Sequence, residues 1–164
     1  MYFSKKTNMK RYYRIVSSLC LLMPFISLGQ RFDPKTVLPK SLVQYRFGMG
    51  LDDFTMKNKS ATTANASMSF RLEYQDKEAG KDIKQVTYYF DAENNKPLYE
   101  MIIQFKDVQA LDAHCSKKLG GANDGKQWKW TTKEGYIFKA WRFSNTLVLA
   151  LGLPSTEWEK EWDN

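Results

Sequence analysis

The only histidine of the chain and a neighbouring cysteine are the residue types most typical of nucleophilic catalysis. His114 is the single histidine among 164 residues, and Cys115 follows it directly. A catalytic thiol needs an imidazole within hydrogen-bonding distance, but successive residues on a helix point about 100° apart. Cys115 also falls on an apolar stripe, where burial raises the pKa of a thiol and suppresses its reactivity. We therefore expect a buried, unreactive cysteine and no Cys–His catalytic pair.

Residues that could bind a metal do not form a metal-binding motif. One histidine and one cysteine cannot supply the four ligands of a zinc site. The run Asp91-Ala92-Glu93-Asn94-Asn95 resembles the start of a calcium loop. However, Lys96 stands where that loop needs glycine, and Ile102 stands where it needs a bidentate glutamate. Asp52-Asp53 is an acidic pair typical of a solvated surface, so we expect neither a metal nor a cofactor.

The sequence contains no glycine-rich phosphate loop and no nucleophile-elbow pattern. Paired carboxyl groups for hydrolysis meet in space without a sequence motif, so an exported hydrolase stays open as one alternative. A structural component of an envelope assembly is a second alternative. The missing catalytic pattern favours a non-enzymatic binding or protein-interaction module, of which an inhibitor- or immunity-like protein is a narrower version.

Large aromatic residues gather in the C-terminal third of the chain. All five tryptophans lie between positions 128 and 162, and the first two share one face of a predicted strand. Aromatic side chains on a sheet can form a contact surface. In a small domain without disulfides they also fill the core, which is the explanation we favour. A binding surface in this region would comprise Tyr89, Trp128, Trp130, Trp141, Trp158 and Trp162.

Alternation of apolar and polar residues, which is typical of strands with one buried face, dominates the chain, and seven strands are predicted. They lie at 43–49, 68–74, 86–90, 99–105, 127–131, 136–143 and 147–153. The third and fourth are joined by a predicted hairpin turn, Asp91–Pro97. The last strand is apolar on both faces, which predicts a place inside the sheet. Tyr89 and Ile102 lie on the sheet face opposite their core-facing neighbours. This indicates that the face away from the core is either covered or forms a contact surface.

One amphipathic helix is predicted between the two groups of strands. Asp107 can cap a helix that runs to about Leu119, and Gly120-Gly121 can end it. Its apolar stripe would consist of Val108, Leu111, Cys115 and Leu119. Residues 50–60 fit either a short helix or a loop, 61–67 fit a loop, and the tail 154–164 fits either a docked helix or a frayed end.

This order of elements predicts a single α+β domain over residues 30–164. Strands, one helix and further strands joined by short connections favour a mainly antiparallel sheet of about six or seven strands. The helix at about 107–119 would pack on one face of that sheet.

Residues 1–29 predict a cleavable signal peptide. Five basic residues occur in the first fourteen positions, and the apolar run Ile15–Leu28 follows them. Ser27-Leu28-Gly29 places small residues just before Gln30, as signal cleavage requires. The apolar run has 14 residues, whereas a membrane-spanning helix needs roughly 20. We therefore expect cleavage rather than anchoring, and a periplasmic or secreted product with no stable membrane span.

Cleavage would also change the charge and cysteine content. The chain has 25 Lys and Arg against 18 Asp and Glu, and five of the basic residues lie in the signal segment. The remaining 20 give a net charge of +2 instead of +7, so the basic excess does not predict a nucleic-acid partner. Cys115 would be the single cysteine left, which excludes an internal disulfide. A protein or an extracellular ligand is the expected partner.

Two segments match the glycosylation acceptor pattern, Asn58-Lys59-Ser60 and Asn65-Ala66-Ser67. They would matter only in a eukaryotic secretory pathway.

Overall fold

The architecture comes from a computed structural model that describes residues 31–65, 68–93, 95–159 and 162. The predicted signal peptide lies outside this range. Two α-helices are present, α1 (Leu51–Lys57) and α2 (Val108–Lys118), together with short 3-10 helices at Pro34–Val37 and Lys40–Leu42. The strands are β1 (Thr62–Ala64), β2 (Arg71–Asp76), β3 (Ile83–Asp91), β4 (Leu98–Phe105), β5 (Trp128–Thr131), β6 (Ile137–Phe143) and β7 (Thr146–Leu151).

The seven strands form one antiparallel sheet in the order β1-β2-β3-β4-β7-β6-β5. The first four strands are a meander. After α2 the chain returns through β5 and β6, so that β7 inserts between β4 and β6. All six residues of β7 are buried, as the apolar run predicts for an interior strand. The α+β class with a mainly antiparallel sheet is therefore confirmed.

The main core lies between the sheet and the helices, on what we call the helix side. Phe54 of α1 packs against Tyr88 with ring centroids 4.7 Å apart, and Leu111 and Cys115 of α2 join the same buried cluster. Asp107 accepts a hydrogen bond from the backbone N–H of Ala110 at 2.8 Å, which confirms the predicted helix cap. The predicted helix is also confirmed, although Val108 of its apolar stripe is 41% exposed.

The other side of the sheet, which we call the second face, is partly covered by the segment that follows β7. Strand register places Tyr89, Glu100, Ala150 and Lys139 directly opposite one another in one row across β3, β4, β7 and β6. Residues 155–159 and Trp162, called the C-terminal segment below, pack on this row. They form turns rather than a helix, so the described part of the tail is docked without being helical.

The predicted strand at 43–49 is wrong. Backbone hydrogen bonds from Tyr45 N to Leu42 O and from Met49 N to Arg46 O make successive turns there, and Gly48 has a φ of +82°. Positive φ breaks an extended ladder. The alternation that suggested a strand comes from turns that bury Tyr45 and Met49 while leaving Val43 43% exposed.

Two other boundaries differ from the sequence pattern. The segment expected to be a loop at 61–67 contains the short edge strand β1, which pairs with β2. The strand expected from Met68 begins three residues later, and Met68 and Phe70 are exposed before it. Residues 50–60, for which helix and loop both fitted, contain α1.

A β-bulge in β4 lets the hydroxyl of Tyr99 reach the second face of the sheet. Tyr89 pairs with Glu100, whereas the next residue, Phe90, pairs with Leu98, so Tyr99 is the extra residue on β4. Alternation alone groups Tyr99 with the core residues Met101, Ile103 and Phe105. The Tyr99 hydroxyl instead reaches the C-terminal segment on the second face.

Candidate functional site

A cluster of ionisable and hydrogen-bonding side chains lies where the C-terminal segment crosses the second face. The sheet supplies Arg71, Tyr89, Tyr99 and Glu100, and the C-terminal segment supplies Glu157 and Trp158. We call these six residues the carboxyl cluster. Register pairs Tyr89 with Glu100, and Arg71 lies two residues from Glu73, the partner of Tyr89 on β2. The turn after Pro154, with Ser155 at a φ of +67°, directs the segment back over them.

Glu100 is the centre of the carboxyl cluster. Its side chain is only 4% exposed, and it accepts a hydrogen bond from the Trp158 indole N–H at 2.9 Å. The pKa of Glu100 is raised to about 7, mainly by burial; the nearby Glu157 adds to the shift, while the Trp158 hydrogen bond and Arg71 oppose it. The carboxyl group is therefore poised between its neutral and charged forms near neutral pH.

Arg71 connects the sheet to the C-terminal segment. Its guanidinium lies 3.4 Å from the Glu157 carboxylate and 4.2 Å from the centre of the Tyr89 ring. The Tyr99 hydroxyl donates to the same Glu157 oxygen at 3.2 Å. Burial is the main cause of the raised pKa values of Tyr89 and Tyr99, which keeps both phenols neutral. The cluster thus places the Arg71–Glu157 ion pair beside Glu100, whose carboxyl group titrates near neutral pH.

Two further tryptophans, Trp141 on β6 and Trp162, extend the carboxyl cluster through their contacts with Trp158. Trp158 meets Trp141 edge-on with centroids 5.7 Å apart and stacks on Trp162 at 5.2 Å. The Lys139 ammonium lies 5.4 Å from the Trp162 ring centre. A Cβ on Gly152 would come within 3.2 Å of both the Trp158 carbonyl and the Trp162 ring. A glycine at 152 therefore lets the segment lie close to the sheet.

A cleft of about 550 Å³ adjoins the carboxyl cluster, and Tyr99 and Glu157 line it together with Phe70, Asp91 and Glu93. Asp91 is already engaged, since its carboxylate accepts from the Glu93 backbone N–H at 2.6 Å. Glu100 is not among the lining residues. A substrate in this cleft would therefore meet Glu157 and Tyr99, while Trp158 covers Glu100.

The part of the second face beyond the C-terminal segment carries no ionisable side chain in two successive rows. We call this surface the open face. One row pairs Gln75, Thr87, Ile102, Val148 and Trp141, and the next pairs Gln85, Gln104, Thr146 and Phe143. Phe143 is 56% exposed, and Ile102 and Trp141 are half-buried. Thr87, Thr146 and Val148 of these rows are buried, so the surface consists of glutamine amides and apolar side chains, although charged residues make up 26% of the chain.

The six residues predicted as a binding surface separate onto two sides of the sheet. Tyr89, Trp141, Trp158 and Trp162 come together on the second face, as described above. Trp128 and Trp130 pair with Ala140 and Phe138, which point into the core on the helix side. Trp128 is 5% exposed and donates from its indole N–H to the Gly120 carbonyl, and Trp130 stacks on Phe32 at 4.4 Å.

The His114–Cys115 pair has the geometry expected of core residues. The His114 Nε2–H donates to the Val37 carbonyl at 2.9 Å, and burial lowers the pKa of the imidazole. Burial likewise raises the pKa of the Cys115 thiol. Within the described ranges no group of three or more His, Cys, Asp or Glu residues could hold a metal ion.

The glycosylation acceptor Asn58 is committed to an internal hydrogen-bond network. It is 5% exposed, its amide donates to Asp76 at 3.0 Å, and its carbonyl accepts from the Ala61 N–H and the Ser60 hydroxyl. A glycan on Asn58 would have to break this network. Part of the second acceptor pattern lies outside the described residues.

Sequence reasoning missed Arg71, Glu100 and Glu157 as site residues. A signal for Glu100 does exist, because it is the one charge within the otherwise apolar and amide run of β4 and it alternates onto the same face as Ile102. Arg71 and Glu157 are 86 positions apart, and no local pattern connects them.

Comparison with protein-family models, with curated proteins and with solved structures finds no match for this chain. No helix in the described part of the chain is long and apolar enough to cross a membrane. Function is therefore inferred from the side chains themselves.

Proposed function

We propose that this protein is an exported, non-enzymatic binding module that holds a protein partner against its open face. The observation that carries the proposal is the lack of charge across both rows of that face, combined with the exposure of Phe143. Depletion of charged residues and enrichment of aromatic ones are typical of the centres of protein interfaces. The charged rim that such interfaces have is supplied by the adjoining row, which contains Glu73 and Lys139.

The docked C-terminal segment supports the same proposal. Trp141 belongs to the open face and also contacts Trp158, so the segment forms one wall of the surface offered to the partner. Packing between rigid aromatic side chains lowers the entropy lost on binding, which favours such residues as anchors.

The experiment is a pull-down with the purified protein as bait against the exported proteins of its source, read by mass spectrometry. A single stoichiometric partner is expected. Phe143→Glu places a charge at the most exposed apolar position of the open face and should reduce its recovery at least about tenfold. Met56→Glu is the matched control, because Met56 is 64% exposed on α1, on the other side of the molecule.

Two outcomes would contradict the proposal. One is a blank pull-down with the wild-type protein at high bait concentration. The other is recovery of the partner that falls equally in both variants, since Met56 lies outside the open face. Export has its own test, because N-terminal sequencing of the extracytoplasmic protein should give a chain beginning at Gln30.

A hydrolase is the second candidate, and Glu100 is the observation that favours it. A carboxyl group with a pKa of about 7 can act as a general acid at neutral pH, and Glu157 stands beside it as a second carboxyl group. Reaching Glu100 requires displacement of Trp158. Turnover of a glycoside substrate that is lost in both Glu100→Gln and Glu157→Gln, with the fold intact, would favour this candidate over binding alone.

A further inference from the structure

An open depression lies on the helix side, away from the open face. It has a volume of about 850 Å³ and is bordered by α2, the loop between β2 and β3, and residues 39–41. Small-molecule sites typically fall between about 300 and 1,000 Å³. This cavity is therefore large enough to hold a ligand, and we call it the lysine cavity for the residues at its rim.

The floor of the lysine cavity is apolar. Ile83 and Phe105 are buried core residues whose outer edges line it. Ala110 and Ala113 form the α2 wall, and their short side chains leave room above the floor. On the opposite wall the chain is tightly packed, since a Cβ on Gly80 would lie 2.8 Å from the Ser41 hydroxyl oxygen. Ile83 and Phe105 are only 4% and 3% exposed, so the hydrocarbon surface open to a ligand comes from Ala110 and Ala113.

The rim of the lysine cavity is positively charged. Four lysines line it against one aspartate, Asp82; they are Lys40, Lys81, Lys117 and Lys118. The ion pairs among the described residues are Arg71–Glu157 and Arg142–Asp112, so none of these lysines is held in a close ion pair there, and the rim keeps a positive excess over Asp82. His114 also lines the cavity, and its lowered pKa leaves it neutral near pH 7. Convergence of like charges around a hollow favours an anion inside it.

We propose that the lysine cavity binds an anionic amphiphile, with an acidic headgroup held by the lysines and a short apolar chain lying against Ala110 and Ala113. The apolar lining distinguishes this ligand from a free inorganic anion, and the charged rim distinguishes it from an uncharged hydrocarbon. Headgroup carboxylates and phosphates satisfy the same ammonium donors. This site is separate from the open face and does not depend on the function proposed above.

Titration calorimetry with four probes tests the two halves of the proposal separately. Decanoate and decyl phosphate carry both headgroup and chain, decanol carries the chain alone, and inorganic phosphate carries the charge alone. Both amphiphiles should bind with one-to-one stoichiometry and at least about tenfold more tightly than decanol or phosphate. Raising the salt concentration should weaken binding of the amphiphiles, because the rim is exposed to solvent.

Amide chemical shifts locate the ligand. Decanoate should perturb the amides of α2 and of residues 80–83 and leave those of the open face unchanged. Lys117→Gln with Lys118→Gln should weaken binding at least about fivefold while the fold is retained, and Lys77→Gln with Lys126→Gln removes the same charge from exposed lysines that do not line the cavity. Ala113→Phe fills the cavity without altering its charge and should also block the amphiphiles.

The proposal is overturned by any of three results. Unsaturable binding of decanoate would indicate nonspecific association with apolar surface. Equal affinity for inorganic phosphate and decyl phosphate would show that the apolar lining of the cavity contributes nothing to binding. Equal weakening by the α2 pair and the control pair would mean that net charge, rather than this cavity, attracts the anion.

Discussion

The buried carboxyl group of Glu100 makes the stability of this protein depend on pH in an unusual direction. A glutamate in the unfolded chain ionises near pH 4.5, whereas Glu100 in the folded protein ionises near 7. The folded state therefore holds this proton more tightly than the unfolded state. Its stabilising effect is fully present below pH 4.5 and is lost as the pH rises through 7.

The size of the effect follows from the two pKa values. Each unit of difference corresponds to 1.36 kcal/mol, so ionising Glu100 lowers the free energy of unfolding by about 3 kcal/mol. Glu100→Gln stays neutral and can still accept the Trp158 indole hydrogen bond through its amide oxygen. The stability advantage of the variant over the wild type should be small at pH 5 and grow to as much as about 3 kcal/mol at pH 8.

Urea unfolding followed by tryptophan fluorescence at pH 5, 6, 7 and 8 measures this difference. Glu73→Gln is the matched control, because Glu73 lies in the same row of the second face but is half-buried. Burial lowers the pKa of His114, so its contribution to stability changes in the opposite direction and is lost as the pH falls below the ordinary value of 6.5. It is present in all three proteins and cancels in the comparison. A difference between Glu100→Gln and wild type that does not change with pH would refute the reasoning.

Three further perturbations test the packing. Trp158→Ala removes the indole donor to Glu100 and the contacts with two other tryptophans, and should lower the free energy of unfolding by roughly 2–4 kcal/mol in thermal or urea denaturation; a change below 0.5 kcal/mol would mean that the C-terminal segment is not docked. Asp107→Ala should cost about 1 kcal/mol through the lost helix cap, and Asp107→Asn should recover most of it. The Cys115 thiol should react with a disulfide reagent at least about a hundredfold more slowly in native protein than in urea, because it is buried and its pKa is raised; comparable rates would show that it is accessible.

Period-two alternation was sufficient to predict the sheet because most strands bury one face against the helices. It identified β3, β4, β6 and β7 within a few residues, and the change to helical spacing identified α2. It failed at 43–49, where a positive φ at Gly48 and two tight turns bury alternate residues, and where the backbone bonds to strand β4 at Leu98 come from Gly48 and Met49 at the end of the segment. Alternation indicates which side chains are buried, but both strands and successive turns can bury alternate residues.

The second face was harder to predict than the core. The sequence indicated that Tyr89 and Ile102 face away from the core, and register confirms it. It could not assign Tyr99, because a bulge reverses the alternation for one residue. It also grouped Trp128 and Trp130 with the other tryptophans, since chain position does not reveal on which side of a sheet a strand will point. Arg71 and Glu157 meet only through tertiary packing.

The insertion of β7 between β4 and β6 has a consequence for how the chain is made. Residues 100–104 acquire their second backbone partner only when residues 146–150 arrive. During synthesis β4 therefore remains a largely apolar sheet edge, open to intermolecular association, until residues 146–150 have been made. A truncation before Thr146 should leave that edge permanently exposed and yield an aggregating fragment rather than a smaller domain. Folding of the sheet thus depends on synthesis of β7, long after β4 has been made.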